Sequence, residues 1–177
     1  MNGAGVPHAT AARWYLALPE GAILPLRRVV SPCPNPDRSA VPIGISFDAC
    51  PWGWGAVCTY NGVPTAWAAG VWEHSMLNRF AATVGDSGFQ TLWECIASLI
   101  TLEMWAPSEV PFIVHGDNIG ALTMISKLKG RGDCLSVARE VAWRQAARRW
   151  RPIPTHKPSE LNVLSDALSR LHAPPGK

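Results

Sequence analysis

Residues 43–72 read IGISFDACPWGWGAVCTYNGVPTAWAAGVW, and this stretch decides the fold class. Alternating, partly β-branched residues predict three strands. They are IGISFDA (43–49), GWGAVCTY (53–60) and TAWAAGVW (65–72). The Asn61-Gly62 pair between the second and third patterns is a strong hairpin signal. The stretch therefore predicts an antiparallel three-stranded meander whose first strand carries Asp48 at its C-terminal end.

Helical and strand patterns alternate after the meander. In chain order they predict a helix over 91–105, a strand over 111–117, helices over 118–128 and about 135–149, a short or edge strand over 151–155, and a last helix that carries Asp166. The apolar stripe of that last helix consists of Leu161, Leu164, Leu168 and Leu171. The order β-β-β-α-β-α-α-β-α predicts an α/β domain: a mixed five-stranded sheet, with three antiparallel strands plus parallel strands, flanked by helices.

The first part of the chain has a different composition from the rest. Residues 1–42 contain seven prolines and show no sustained period, which predicts a Pro-rich extension or linker with a short helix around Ala11–Ala17. The folded domain is predicted over 43–172, and 173–177 form a C-terminal tail. The whole chain is 47% hydrophobic and 16% charged, a composition that is globular rather than disordered.

The cysteines and the absence of long apolar runs indicate the compartment. The five cysteines form no C-x-x-C pair, which favours free thiols in a reducing environment over a disulfide framework or a zinc site. No secretory signal is visible, and no apolar run approaches the ~20 residues that span a bilayer. These features predict a soluble intracellular protein of the cytoplasm or nucleus, neither secreted nor bound to a membrane.

Positive charge is concentrated in the second half of the chain. Between Lys127 and Lys157 there are nine Lys or Arg residues and two acids, although the net charge of the whole chain is only +3. Such a segment is typical of a surface that meets phosphates, and equally of a solvated helix face. Arg144 and Arg148, four residues apart on one predicted helix, are the first candidates for phosphate contacts.

Four acids occupy unusual positions in the predicted fold. Asp48 and Asp117 end strands, whereas Glu94 and Asp166 lie inside helices beside apolar stripes. The carboxyl ends of strands are where sites gather in open α/β sheets, and crowded carboxylates require a cation. Their oxygens select Mg²⁺ or Mn²⁺, two of which can clamp a phosphodiester. Taken singly, each acid has a simpler explanation; Asp166, for example, could pair with Arg170.

Four motifs carry a family resemblance that covers about residues 43–171. They are DACPWGWGAV (48–57), LWECIASLITLEMW (92–105), VHGDNIGALTMI (114–125) and HKPSELNVLSDALSRL (156–171). In this order and spacing they resemble the ribonuclease H domains of retroelements. The resemblance is best to DIRS-like and related retrotransposons, where the domain follows a reverse transcriptase. It implies a ribonuclease H-like fold for the predicted sheet.

The resemblance also implies an activity and a set of functional residues. It implies a metal-dependent endonuclease that hydrolyses the RNA strand of RNA–DNA hybrids during reverse transcription, with two Mg²⁺ ions for which Mn²⁺ can substitute. The catalytic metal ligands would be Asp48, Glu94, Asp117 and Asp166, with His156 as the mobile catalytic histidine. The residues expected to contact the hybrid are Ala49, Gly53, Asn118, Lys127, Lys129, Arg131, Arg144, Arg148 and Asn162. A reverse transcriptase domain in the same polyprotein is the expected partner.

Departures from the family pattern leave alternatives open. Cys50 and Ser159 replace a serine and a glycine, and Ser165 replaces an alanine. The connection from Trp72 to Glu94 is longer than in close relatives and poorly matched. One alternative is a weak or inactive nucleic-acid-binding scaffold of the same fold. Another is a nuclease of the same superfold that acts on DNA, such as a Holliday-junction resolvase or an integrase.

Overall fold

A computed structural model describes residues 41–175 of the chain. The predicted extension therefore lies outside the described residues up to residue 40, together with its helix around Ala11–Ala17. The strands are β1 (Ile43–Cys50), β2 (Gly53–Tyr60), β3 (Val63–Val71), β4 (Pro111–Gly116) and β5 (Arg151–His156). The α-helices are α1 (His74–Arg79), α2 (Gln90–Trp105), α3 (Ile119–Lys127), α4 (Cys134–Arg148) and α5 (Val163–Ser169). Within residues 41–175, two 3-10 helices cover Ser87–Phe89 and Ser159–Leu161.

The five strands form one mixed sheet in the order β3-β2-β1-β4-β5. β1 pairs antiparallel with β2, as does β2 with β3, whereas β1–β4 and β4–β5 are parallel. The predicted mixed sheet is confirmed. Because β1 and β4 are parallel neighbours, Asp48 near the end of β1 and Asp117 after β4 reach the same edge of the sheet.

The hairpin and the connection that follows it differ in detail from the prediction. Asn61 and Gly62 both have positive φ, 51° and 77°, as a two-residue hairpin turn requires, so β3 already begins at Val63 rather than at residue 65. The connection over 73–88 contains the short helix α1, which its polar sequence does not suggest. Leu77 is the buried residue of α1 and joins the core.

The main core lies between the sheet and α2. Ile45, Phe47 and Ala49 of β1 belong to the same buried cluster as much of α2. Trp93 of α2 is fully buried and stacks on Trp72, with ring centroids 4.7 Å apart. α2 packs against the sheet and two helices, so it is buried from Leu92 to Ser98, and Glu94 is buried although the apolar period placed it off the core stripe.

The predicted apolar stripe of the last helix is wrong. Leu161 is 65% exposed, and Leu164 and Leu171 are also exposed, while Asn162, Ser165 and Ser169 are the buried residues of this segment. The reason is the close approach of α5 to β2. A Cβ atom on Gly55 would lie 2.4 Å from the Ser169 nitrogen, so only small residues fit in this contact.

Two predictions from composition can also be compared with the described residues. Cys50, Cys58, Cys95 and Cys134 are free thiols, as predicted, and Cys33 lies outside the described residues. Among residues 41–175, no helix combines the length and the apolar character that crossing a membrane requires.

Candidate metal centre

Three of the four predicted acids come together at one edge of the sheet. Asp48, Glu94 and Asp117 each offer a carboxylate oxygen, and these oxygens all lie within 4.8 Å of one another. β1 positions Asp48, α2 positions Glu94, and Asp117 follows the last residue of β4. Asp48 and Glu94 are buried, at 4% and 2% exposure. Oxygen ligands of this kind suit a hard divalent cation.

Each carboxylate in this cluster accepts hydrogen bonds on one oxygen from the protein. The Ser169 hydroxyl donates to Asp48 Oδ2 over 2.6 Å, and the Ser159 hydroxyl donates to Asp117 Oδ2 over 2.7 Å. Glu94 Oε1 accepts from the Gln90 amide over 3.1 Å and from the Ala49 backbone N–H over 3.4 Å. These donors hold the carboxylates in fixed orientations.

The second oxygen of Glu94 has no such donor. Glu94 Oε2 is buried and lacks a hydrogen-bond partner in the described part of the chain. A buried anionic oxygen without a partner is costly, because it has lost its hydration and gained nothing in exchange. The residues present therefore fit a divalent cation, which would be bound by the free oxygen of Glu94 together with Asp48 and Asp117.

The structure does not include Asp166 in this cluster. The Arg170 Nε–H donates to Asp166 Oδ1 over 2.8 Å, which is the pairing that the sequence left open as the simpler explanation. This bond raises the pKa of Arg170. Asp166 nevertheless lies close enough for its charge to contribute to the raised pKa of Asp48.

The predicted catalytic histidine is the last residue of β5, where it pairs with Gly116 of β4. His156 is exposed, and its Nε2 lies 3.1 Å from the backbone oxygen of Asp117. The next residue, Lys157, donates its backbone N–H to the Gly116 oxygen over 2.9 Å. These two contacts connect the end of β5, which carries His156, to the chain segment that ends in Asp117.

Four of the residues predicted to contact nucleic acid are buried or form hydrogen bonds within the protein: Ala49, Gly53, Asn118 and Asn162. The Asn162 amide donates to the Phe47 backbone oxygen over 3.0 Å, and Asn118 caps α3 by accepting from the Ala121 N–H over 3.1 Å. Ala49 and Gly53 are buried, and the N–H of Ala49 bonds Glu94.

The predicted basic residues fall into two groups. Arg144 and Arg148 both pair with Glu103 of α2, and Arg144 also pairs with Glu140 over 2.7 Å. Lys127, Lys129 and Arg131 are exposed and form no ion pair within residues 41–175.

Three residues of the centre were not among those predicted: Gln90, Ser159 and Ser169. Gln90 stands one helical turn before Glu94, a spacing at which side chains meet, so this contact could have been found from the sequence. The two serines contact acids that are 42 and 121 residues away, and no local pattern reports such pairs.

Comparison with solved structures identifies this arrangement of strands and helices. The chain is similar to LC11-RNase H1 in complex with an RNA/DNA hybrid, with 17% identity and a TM-score of 0.55 over 71% of this chain and 92% of that one. A second structure of LC11-RNase H1, isolated from compost by a metagenomic approach, matches with 18% identity and a TM-score of 0.54 over 73% and 94%. The chain has the ribonuclease H fold.

One further solved structure is similar to the chain, whereas two comparisons by sequence found no match. RNase H1 of the halophilic archaeon Halobacterium salinarum NRC-1 matches with 17% identity and a TM-score of 0.48, over 71% of this chain and 92% of that one. No protein-family model and no curated protein sequence matches the chain.

Burial and crowding disfavour the ionised forms of Asp48 and Glu94 in this ribonuclease H fold. Burial, with smaller contributions from the charges of Asp117 and Asp166, raises the pKa of Asp48 to about 6, against the lowering effect of the Ser169 hydroxyl. Burial, and then the charges of Asp48 and Asp117, raise the pKa of Glu94 well above its usual range. A bound cation would reverse both effects, because it favours the ionised carboxylates.

The raised pKa of Asp48 predicts a pH dependence of stability in the absence of metal. Between the ordinary pKa of 3.8 and the folded value of about 6, the folded state binds more protons than the unfolded state. The protonated Asp48 carboxyl therefore stabilises the folded state fully below pH 3.8. This stabilisation is lost as the pH rises through about 6. In EDTA, wild type should therefore lose up to about 3 kcal/mol relative to Asp48→Asn between about pH 4 and pH 7.5.

Denaturant unfolding at the two pH values measures this difference. Asp133→Asn, at an exposed acid outside the cluster, is the control and should follow the wild type at both. A constant difference between wild type and Asp48→Asn across the window would contradict the raised pKa of Asp48.

Proposed function

We propose that this chain is a metal-dependent endonuclease that hydrolyses the RNA strand of RNA–DNA hybrids. The observation that supports this most strongly is the buried cluster of Asp48, Glu94 and Asp117 with its unpartnered Glu94 oxygen, at the end of the sheet of a ribonuclease H fold. One similar structure, LC11-RNase H1, was solved in complex with an RNA/DNA hybrid. The four sequence motifs add the order Asp, Glu, Asp, His, Asp in the chain.

In this proposal, Asp48, Glu94 and Asp117 are ligands of two Mg²⁺ ions, for which Mn²⁺ can substitute. Divalent ions bound there would activate a water for attack and stabilise the leaving oxygen of the phosphodiester. Asp166 would complete the ligand set. In the described structure the Asp166 carboxylate lies outside the cluster and its Oδ1 accepts from Arg170, so it must move toward the centre to do so.

The remaining residues act on the proton and on the substrate. His156 is exposed and its Nε2 lies 3.1 Å from the backbone oxygen of Asp117, and an imidazole in such a place can act in proton transfer. Its position at the edge of the centre suits transfer of a proton to or from bulk water. The hybrid would be recognised by its shape, its phosphates and its 2′-hydroxyls rather than by base edges.

The biological setting that we propose is a retroelement. The motifs are those that resemble retroelement domains which follow a reverse transcriptase, and removal of RNA from hybrids is required after such an enzyme has copied RNA into DNA. The partner would then be a reverse transcriptase domain in the same polyprotein. The activity would be located where hybrids form, in the cytoplasm or nucleus.

The central test is a cleavage assay with purified protein on three substrates: RNA–DNA hybrid, double-stranded RNA and duplex DNA. We expect Mg²⁺-dependent cleavage of the RNA strand of the hybrid alone. Asp48→Asn should reduce the rate by at least about 100-fold, since loss of even an outer partner of a metal ligand costs 10- to 100-fold. Hybrid binding should survive, because the amide keeps the volume of the side chain.

Controls in this assay separate the competing functions. Asp133→Asn should keep wild-type activity. Cleavage of duplex DNA instead of hybrid would favour a different nuclease, and binding without cleavage would favour a scaffold. Full activity of Asp48→Asn, once contamination is excluded, would refute the assignment of the centre.

A second prediction concerns Asp166. Magnesium binds the folded state and should raise the melting temperature. If Asp166 leaves Arg170 to become a ligand, Asp166→Asn should reduce this rise, whereas Arg170→Gln, which releases the carboxylate, should not. Differential scanning calorimetry with and without Mg²⁺ measures both variants. The same rise in wild type and Asp166→Asn would show that Asp166 is not a ligand.

A third prediction concerns the proposed phosphate contacts. Each contact releases counterions, so each lost contact should lower the slope of log affinity against log salt by about one unit. We expect this reduction for Lys127→Ala/Lys129→Ala/Arg131→Ala, and little change for Arg144→Ala/Arg148→Ala, whose charges are already paired with Glu103. Hybrid affinity measured at several salt concentrations tests both. A reduced slope in the arginine variant alone would reverse the assignment.

A further inference from the structure

We infer that Ser169 and Ser159 are positioning residues that make Asp48 and Asp117 one-oxygen ligands, and that they thereby favour Mg²⁺ over Ca²⁺ at the centre. This inference rests on the proposed metal-binding function. The two serines lie on either side of Asp166, one in the 3-10 helix before α5 and one at the end of α5. They approach the two strand-end acids from the same segment of chain.

Ser169 is held rigidly. Its side chain is fully buried, and its Oγ lies 2.6 Å from Asp48 Oδ2 and 2.9 Å from the Asp166 backbone oxygen. The Cys50 thiol donates to the Ser169 backbone oxygen over 3.0 Å, and Gly55 leaves no space behind the helix. The hydroxyl therefore cannot follow Asp48 if that carboxylate rotates, and rotation would break the bond.

Ser159 is exposed but is fixed through its backbone. It follows Lys157 and Pro158, and the Lys157 N–H bonds the Gly116 oxygen over 2.9 Å. This contact places the Ser159 hydroxyl 2.7 Å from Asp117 Oδ2, on the residue next to Gly116. Serine here departs from the glycine expected from the family resemblance, so the contact is a feature of this chain.

Both serine–carboxylate distances are as short as those of hydrogen bonds to ionised oxygens, which are about twice as strong as neutral ones. When Oδ2 accepts such a hydrogen bond, the other carboxylate oxygen, Oδ1, remains to face the centre. Glu94 follows the same arrangement, because Gln90 and Ala49 occupy Oε1 and only Oε2 is free. All three acids thus present one oxygen each.

The consequence for metal selectivity follows from coordination chemistry. Mg²⁺ is small, keeps several of its waters and binds few carboxylate oxygens in octahedral geometry. Ca²⁺ takes six to eight oxygens and often binds both oxygens of one carboxylate. Carboxylates restricted to one oxygen each supply few protein oxygens, which suits Mg²⁺, with its retained waters, better than Ca²⁺, which favours both oxygens of a carboxylate.

The test is isothermal titration of the full chain with MgCl₂ and, separately, with CaCl₂. In Ser169→Ala, Ser159→Ala and the double variant, the affinity for Mg²⁺ should fall about tenfold or more, in the range found for outer partners of metal ligands. The affinity for Ca²⁺ should stay the same or rise, because the freed oxygens can then bind it. Ser159→Thr keeps the hydroxyl and should therefore show the wild-type affinities for Mg²⁺ and Ca²⁺.

The chain offers a matched control for each serine. Ser165 lies in the same helix as Ser169 and is equally buried, but its hydroxyl has no hydrogen-bond partner within residues 41–175, so Ser165→Ala should change neither affinity. Ser75 is exposed and donates to a carboxylate outside the centre, Glu73 Oε2, over 3.3 Å, so Ser75→Ala should also be neutral. If Ser169→Ala does not fold, as judged by its melting transition, Ser159→Ala and Ser159→Thr carry the test.

The outcomes separate this inference from the proposed function. If wild type binds Mg²⁺ and the serine variants keep the wild-type ratio of Mg²⁺ to Ca²⁺ affinity, the inference is wrong and the proposed centre stands. An equal loss of both affinities would likewise refute a role in selectivity. If wild type binds neither ion, the proposed centre and the inference fail together.

Discussion

Three carboxylate oxygens within 4.8 Å of one another are the constraint around which the other elements of this domain are arranged. Such a cluster is unfavourable without a cation, as the raised pKa values of Asp48 and Glu94 show. It persists because the core places its members independently. The sheet fixes Asp48 and Asp117 through the parallel pairing of β1 and β4, and α2 brings Glu94 from the opposite layer. The favourable packing of these elements therefore outweighs the repulsion at their ends.

The contact between α5 and β2 shows where reasoning from sequence fails. Leucines at helical spacing are expected to face a core, and this assumes that the helix stands at a normal distance from its neighbour. Because Gly55 has no side chain, α5 packs closer to β2 than a normal helix would. Ser169 therefore faces the sheet and Leu164 faces solvent. The strands were easier to predict, since their alternation and the Asn61-Gly62 turn are local signals that tertiary contacts do not override.

The same distinction between local and distant signals applies to the centre. Asp48, Glu94 and Asp117 were predictable, because strand ends and helix faces follow from the order of elements. The orientation of each carboxylate was not, since it depends on Ser159 and Ser169, which are distant in sequence from the acids they contact. The partner of Asp166 depends on a choice of rotamer between Arg170 and the centre, and a sequence pattern contains no information on that choice.

The number of basic residues between Lys127 and Lys157 overstates the positive charge that is free to bind phosphates. Glu103 lies on α2, outside the basic segment, yet it pairs with both Arg144 and Arg148, because α4 packs on α2. Of the basic residues predicted to contact the hybrid, those without an ion pair within residues 41–175 are Lys127, Lys129 and Arg131, at the end of α3 and just after it. α3 starts two residues after Asp117, and its nine residues span about 13 Å. That length corresponds to about four base pairs along a duplex axis. In the proposed function, a duplex that lies along α3 with its scissile phosphate at the centre would therefore reach Lys127 in the last turn of this helix.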